Sequence, residues 1–181
     1  MIEETPAYTI YTIGHSTHPL DEFLALLRSF SISLVVDIRS FPTSKRYPQF
    51  SKENLDRSLN ENSIGYLHLV KLGGRKKPVV GSINTRWRNM AFRGYADYME
   101  THDFKGAVSQ LEDRAISQKV AFMCAEAVWW SCHRSLISDY LKIKGWKVMH
   151  IMGPGKSNEH PYTSAARITG GQLRYDEPEL F

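Results

Sequence analysis

Between Cys124 and Arg134 the chain reads Cys-Ala-Glu-Ala-Val-Trp-Trp-Ser-Cys-His-Arg, which gathers two thiols, a carboxylate, an imidazole and a guanidinium. The segment leaves an apolar stretch and runs toward a helix predicted to start near Ser131. Backbone N–H groups at a helix start lack internal partners, and the helix dipole favours an anion there. Arg134 adds a planar donor fork suited to phosphate or carboxylate. A thiol at such a position ionises more readily. The leading reading is an anion site with Glu126 as acid, base or carboxylate stabiliser. In a second, Cys132 or Cys124 is a nucleophile. Arg134 follows Cys132 by two positions and Cys124 by ten, and neither is the spacing of a phosphatase Cys-to-Arg loop. A third reading, zinc on Cys124, Cys132 and His133, has no Cys-x-x-Cys pair and no evident fourth ligand. In the plainest reading both cysteines simply pack, as buried free Cys often do. No metal and no cofactor is expected.

Other polar residues fall at predicted strand ends. Asp37 and Arg39 close an apolar strand, and strand alternation points both to one face. They form either a structural ion pair or, with Glu126, a crevice in which two carboxylates would have pKa values pushed apart for acid–base work. His15 and Ser16 lie in the first strand-to-helix turn and contact a ligand or cap the helix. Lys71 and Gly73 end a third strand. Arg86 to Tyr95 interleaves cations with aromatics, as a surface for single-stranded or flipped bases does, or as a solvated loop with its Trp and Phe in the core. Arg93, Tyr95, Trp129 and His133 join the candidate binding residues on these grounds. Trp129-Trp130 is suited to line a pocket for a flat ring or to cover the sheet edge.

The elements that must position these groups follow from hydrophobic pattern. Residues 8–13 are β-branched and aromatic and read as a strand. Pro19 opens a helix with Leu20, Phe23, Leu24 and Leu27 on one face. Residues 34–38 are apolar on both faces, as a buried parallel strand is. Ser51 is placed to cap a helix carrying Leu55 and Leu59. Residues 65–70 form a third strand and 74–91 a basic loop. Two helical pieces follow, the second capped at Asp103. Residues 119–123 and 147–152 are strands four and five, with a helix ending at Gly145 between them. From about 153 the chain reads as polar loop and tail. Alternating strands and helices predict a single α/β domain over 1–181. It is a three-layer open, mainly parallel five-stranded sheet with helices on both faces. The architecture is Rossmann-like, but no Gly-x-Gly-x-x-Gly follows strand one, and Gly153-Pro154-Gly155-Lys156 lacks the P-loop spacing. Ligands in such sheets sit at the carboxyl ends of the strands.

Composition sets outer limits. The 181 residues fit one domain, and 42% apolar with 23% charged residues excludes a disordered chain. No apolar run approaches the roughly 20 residues that cross a bilayer. The acidic start lacks a signal-peptide layout, and two cysteines are too few for a disulfide framework, so a cytoplasmic protein is expected. A net charge of +4 permits a nucleotide or DNA partner without requiring one.

Taken together, Gly14-His15-Ser16, Asp37-Ile38-Arg39 with Phe41-Pro42, and Leu72-Gly73-Gly74 resemble the domain-of-unknown-function 488 family. So do Phe92-Arg93-Gly94-Tyr95-Ala96-Asp97-Tyr98-Met99, Cys124-Ala125-Glu126 and Cys132-His133-Arg134. The resemblance covers nearly the whole chain and implies which residues form the site. It implies no reaction. Glu177-Pro178-Glu179-Leu180-Phe181 is similar to the Leu-Phe ending of peptides that dock on bacterial sliding clamps, without the leading Gln; Leu180-Phe181 otherwise reads as a terminal anchor. The expected function is a hydrolase-type enzyme acting on a nucleotide or nucleic-acid base, with glycosylase-like acid–base chemistry at Glu126 and Asp37. Arg39 and Arg134 would bind its anion. The alternatives are a non-catalytic nucleic-acid-binding accessory protein and a thiol-dependent enzyme on a small anionic substrate.

Overall fold

The computed structural model describes residues 7–178. β1 (Thr9–Gly14), β2 (Leu34–Asp37), β3 (Gly65–His68), β4 (Val120–Cys124) and β5 (Lys147–Gly153) form the parallel part of one sheet. Its spatial order is β3-β2-β4-β1-β5, continued at the edge by β6 (Lys156–Glu159). β4 is buried at every position and lies between β1 and β2, so its Val120-Ala121-Phe122-Met123-Cys124 run needs no polar face.

Helices cover both faces. α1 (Leu20–Ser29) and α2 (Lys52–Glu61) pack Phe23, Leu27, Leu55 and Leu59 against Val35, Ala121 and Met123. α3 (Met90–Tyr98), α4 (His102–Ser117) and α5 (Arg134–Ile143) pack Tyr95, Phe104, Leu111, Leu136 and Ile137 against Ile10, Val36 and Phe122. Fully burying one such side chain contributes roughly 1.5–3 kcal/mol. The chain leaves β1 and β2 toward one face and β4 toward the other. The ends of β2 and β4 therefore diverge and open a crevice, as at a topological switch point.

The three-layer α/β reading holds, with differences in detail. The sheet has six strands rather than five, because β6 is added antiparallel through the two-residue turn Pro154-Gly155, with Gly155 at φ 63°. The segment expected to be polar tail also contains an antiparallel hairpin, β7 (Arg167–Thr169) with β8 (Gln172–Arg174), turned by Gly170-Gly171. Both turns use residues that adopt positive φ at little cost. The fifth helix begins at Arg134, after a 3-10 turn at Trp129–Ser131, and not near Ser131. Thr101 caps α4, its Oγ1 accepting from Phe104 N–H, whereas Asp103 pairs with Lys71. The Ser51 hydroxyl donates to the Pro48 carbonyl and does not cap α2. Among the described residues no helix is long and apolar enough to cross a membrane. Leu180-Phe181 lies outside the described residues.

Candidate active site

A cleft of about 420 Å³ opens where β2 and β4 end. Six of the residues expected at the site line it: Arg39, Tyr95, Cys124, Glu126, Cys132 and His133. Phe41, Arg75, Asn89 and Phe92 are among the other residues of its wall. None of these four was singled out from the sequence as a site residue, although Asn89 and Phe92 fall in the 86–95 stretch and Phe41 in one of the family motifs.

The two thiols meet at the cleft floor. Cys124 ends β4 and Cys132 stands two residues ahead of α5, with their sulfurs 2.7 Å apart and both side chains buried. Cys132 Sγ accepts the backbone N–H of Arg134 at 3.4 Å, the anion-binding geometry of a helix start. On its other side lies His133 Nδ1, at 3.5 Å. His133 Nε2 is 3.1 Å from the Ile38 carbonyl. A carbonyl only accepts, so Nε2 carries a proton and Nδ1 is the nitrogen turned toward the thiol. Gly74 lets the ring come this close, since a Cβ there would stand 3.0 Å from Nδ1.

These neighbours split the two thiols. Burial raises the Cys132 pKa, but the hydrogen bond shared with Cys124, the bond to His133 and the charges of His133 and Arg134 outweigh it and hold this thiol well below the ordinary range. Burial pushes Cys124 well above that range, and its bond to Cys132 and the Cys132 charge add to the rise. Of the two, Cys132 is therefore the thiol that ionises more readily.

Arg39 and Asp37 form one unit. Arg39 Nε and Nη2 donate to Asp37 Oδ1 and Oδ2 at 2.9 and 2.6 Å, and the Arg39 backbone N–H adds a third bond. Tyr66 donates its hydroxyl to Oδ2 at 2.6 Å. Asp37 is fully buried beneath the cleft and does not line it. Arg39 Nη1 donates to His15 Nε2 at 3.2 Å, while His15 Nδ1 donates to the Ser16 carbonyl at 2.9 Å. Burial and, less strongly, Arg39 lower His15 to about 4, so it is a neutral acceptor that orients Arg39.

Arg134 is buried below the cleft. It donates to the Glu126 carbonyl at 2.8 Å and to Thr12 Oγ1 at 3.2 Å. It thus fixes the Glu126 backbone and places a cation near both sulfurs, without reaching a ligand directly. Gly14 makes this possible. His15 and Ser16 donate backbone N–H groups to the Cys124 and Ala125 carbonyls, and a Cβ on Gly14 would lie 1.7 Å from the Glu126 carbonyl oxygen. Gly14→Ala is expected to cost about 1–3 kcal/mol or more by overpacking. It should also displace Glu126, which a denaturation midpoint together with a crystal structure of the variant would show. A variant as stable as the parent with an unmoved 124–126 segment would contradict this.

The remaining candidates lie elsewhere. Lys71 is exposed and paired with Asp103 at 2.9 Å. Gly73 is buried against Ser40, where a Cβ would come within 2.3 Å of its Oγ. Arg93 donates to the Trp87 and Thr85 carbonyls, and Arg86 to those of Ala165 and Ser164, so both staple loops. Trp129 stacks on His150 at 4.7 Å, away from the cleft. The sequence reading also missed a buried polar chain. Thr12 donates to His150, His150 Nε2 to His160 Nδ1, and His160 Nε2 to Asp139, which also accepts from Thr163 and Tyr175. The available signal was Asp139, a carboxylate on the apolar face of α5. Among the described residues no cluster of three or more His, Cys, Asp or Glu is arranged to hold a metal ion.

Fold and site together define a doubly covered parallel α/β domain with a cysteine–histidine pair, Cys132 and His133, at its switch-point crevice. The chain belongs to the family described as Domain of unknown function DUF488, whose model matches residues 19–141. No curated protein and no solved structure matches it.

Proposed function

We propose that the chain is an enzyme whose nucleophile is the Cys132 thiolate, acting on a small substrate that carries an anionic group and a planar part. The observation that carries this reading is the line Ile38 carbonyl, His133, Cys132 at the floor of an open cleft. It has the form of an activated nucleophile: a thiol, a base, and a third group that fixes the tautomer of the base. His133 Nδ1 takes the Cys132 proton, and the thiolate attacks an electrophilic centre held above it. Arg39, locked by Asp37 and His15, presents its remaining N–H groups to the anionic part. Phe41, Phe92 and Tyr95 offer ring faces to the planar part. Glu126, exposed on the cleft wall, is placed to give or take the proton of a leaving group. Asp37 holds Arg39 and serves as a positioning residue, so acid–base work at a carboxylate rests on Glu126 alone.

Iodoacetamide labelling tests the nucleophile. Cys132 is expected to react at neutral pH at least tenfold faster than Cys124. Its rate should fall on acidification as the thiolate takes up a proton. His133→Ala should slow Cys132 at pH 7 by about tenfold or more and move its profile to higher pH. Equal, slow labelling of both cysteines would end this reading. Substrates are sought by thermal shift with nucleotides and phosphorylated metabolites, because a ligand stabilises the fold by mass action.

A second reading is favoured by the Glu126 carboxylate itself, which stands in an aromatic-walled cleft that the basic Arg75 also lines. Here the chain hydrolyses a nucleotide or nucleic-acid base, with Glu126 as the acid–base group. Glu126→Gln then abolishes turnover while Cys132→Ser retains it; the thiol reading expects Cys132→Ser to be inactive.

A further inference from the structure

The proposed reaction uses one of the two thiols at the cleft floor and leaves Cys124 without a part. We infer that Cys124 and Cys132 are a reversible redox pair, in which a small hydroperoxide oxidises Cys132 and Cys124 closes an intramolecular disulfide. This inference rests on the same thiolate as the proposed function and adds the second sulfur.

Four observations carry it. The sulfurs are already in contact at 2.7 Å, about 0.7 Å beyond a disulfide bond length. The two sulfurs stand in unlike surroundings, since Cys132 faces the Arg134 backbone N–H and His133 while Cys124 points back toward the Glu126 carbonyl at 3.8 Å. Both line the cleft yet are almost wholly shielded, 2% and 4% exposed, which admits a small oxidant and excludes another protein's thiol. They are also the only cysteines of the sequence, so no other thiol competes within the chain.

The steps balance. The Cys132 thiolate attacks the terminal oxygen of the hydroperoxide; the S–O bond forms, the O–O bond breaks, and the alkoxide takes the His133 proton and leaves as an alcohol. Cys132 is then a sulfenic acid. Cys124 attacks that sulfur; the S–S bond forms, the S–O bond breaks, and hydroxide departs with the Cys124 proton as water. Two thiols are oxidised by two electrons and one hydroperoxide is reduced. The disulfide removes the nucleophile and shields its sulfur from over-oxidation. A dithiol reductant reverses it by exchange.

The experiment exposes the full-length protein to equimolar tert-butyl hydroperoxide, quenches with N-ethylmaleimide and reads the intact mass. The expected result is a monomer lighter by two hydrogens with neither thiol alkylated, and recovery of both alkylations after dithiothreitol. Cys124→Ser should stop at a sulfenic acid that dimedone traps, and Cys132→Ser should leave Cys124 free. Should either variant fail to fold, the wild-type masses alone decide. A protein that keeps both thiols, forms an intermolecular dimer, or gains oxygens on Cys132 with Cys124 still alkylated overturns the inference. Fast iodoacetamide labelling of Cys132 alongside any of these would leave the proposed nucleophile standing.

Discussion

Asp37→Asn is expected to destabilise the protein by about 3–5 kcal/mol, because it leaves a buried guanidinium without its counter-charge. Arg39 is 7% exposed and Asp37 not at all, and the carboxylate accepts from Arg39 and Tyr66 at distances down to 2.6 Å. Asparagine keeps the shape but offers one acceptor in place of two, and turns an N–H₂ toward Arg39 or Tyr66. For a domain of this size each 1 kcal/mol moves Tm by roughly 2–4 °C, so a fall of about 10 °C is expected. A double-mutant cycle with Arg39→Leu gives the cause: the double variant should be more stable than the sum of the single losses by about 2 kcal/mol or more. Loss of less than about 1 kcal/mol in Asp37→Asn, or strict additivity, would show that the pair does not act as one unit.

Acid is expected to unfold the protein well before its carboxylates titrate. Burial holds His15 at about 4 and His150 at about 2, against an ordinary value of 6.5. For His150 the neighbouring His160 and Arg134 add to the effect of burial. Both rings are neutral in the folded state and protonate near 6.5 once unfolded, so the unfolded chain binds more protons. Their contribution is fully present above pH 6.5 and is lost as pH falls toward the folded values. Both rings are nearly inaccessible, at 4% and 1% exposure, so solvent screens little of the shift. Between pH 7 and pH 5 the two together should remove about 4 kcal/mol, and by pH 4 about 6 kcal/mol. Guanidinium midpoints at pH 7, 6 and 5 measure the slope, and His150→Gln should roughly halve it. A flat profile over that range would refute neutral burial of both rings.

The cores of β1, β2, β4 and β5 were legible because each holds an apolar or β-branched run; β3, Gly-Tyr-Leu-His, is half-buried throughout and ends at His68, short of residue 70, where a 3-10 turn takes over. The last strands were not, for a physical reason: β6 is Lys-Ser-Asn-Glu, an edge strand with no buried face to impose alternation. Its sign was the Pro154-Gly155 turn, and for β7 and β8 it was Gly170-Gly171. At the site, residue type and strand-end position were enough to bring Arg39, Glu126, Cys124, Cys132 and His133 to one cleft. Strand alternation offered the Asp37–Arg39 ion pair as one of two readings, but sequence could not show that Tyr66 joins it, or that Arg134 is held below the surface by Thr12 and the Glu126 carbonyl. Those outcomes depend on what lies across the sheet, and strand spacing carries no such information. Thr12, His150, His160 and Asp139 were overlooked because each stands alone in its own element and gains meaning only from the three others.

The family model spans residues 19–141, whereas β1 lies at Thr9–Gly14 and β5 at Lys147–Gly153. β1 is the only strand joining β4 to β5, and Asp139 is anchored by His160, Thr163 and Tyr175 from beyond the matched span. The matched span by itself thus lacks β1 and β5 of the sheet. Excised by itself it would expose the flank of β4 as an open edge and strand a carboxylate in a nonpolar interior, so boundaries drawn from sequence likeness would cut through the middle of this sheet.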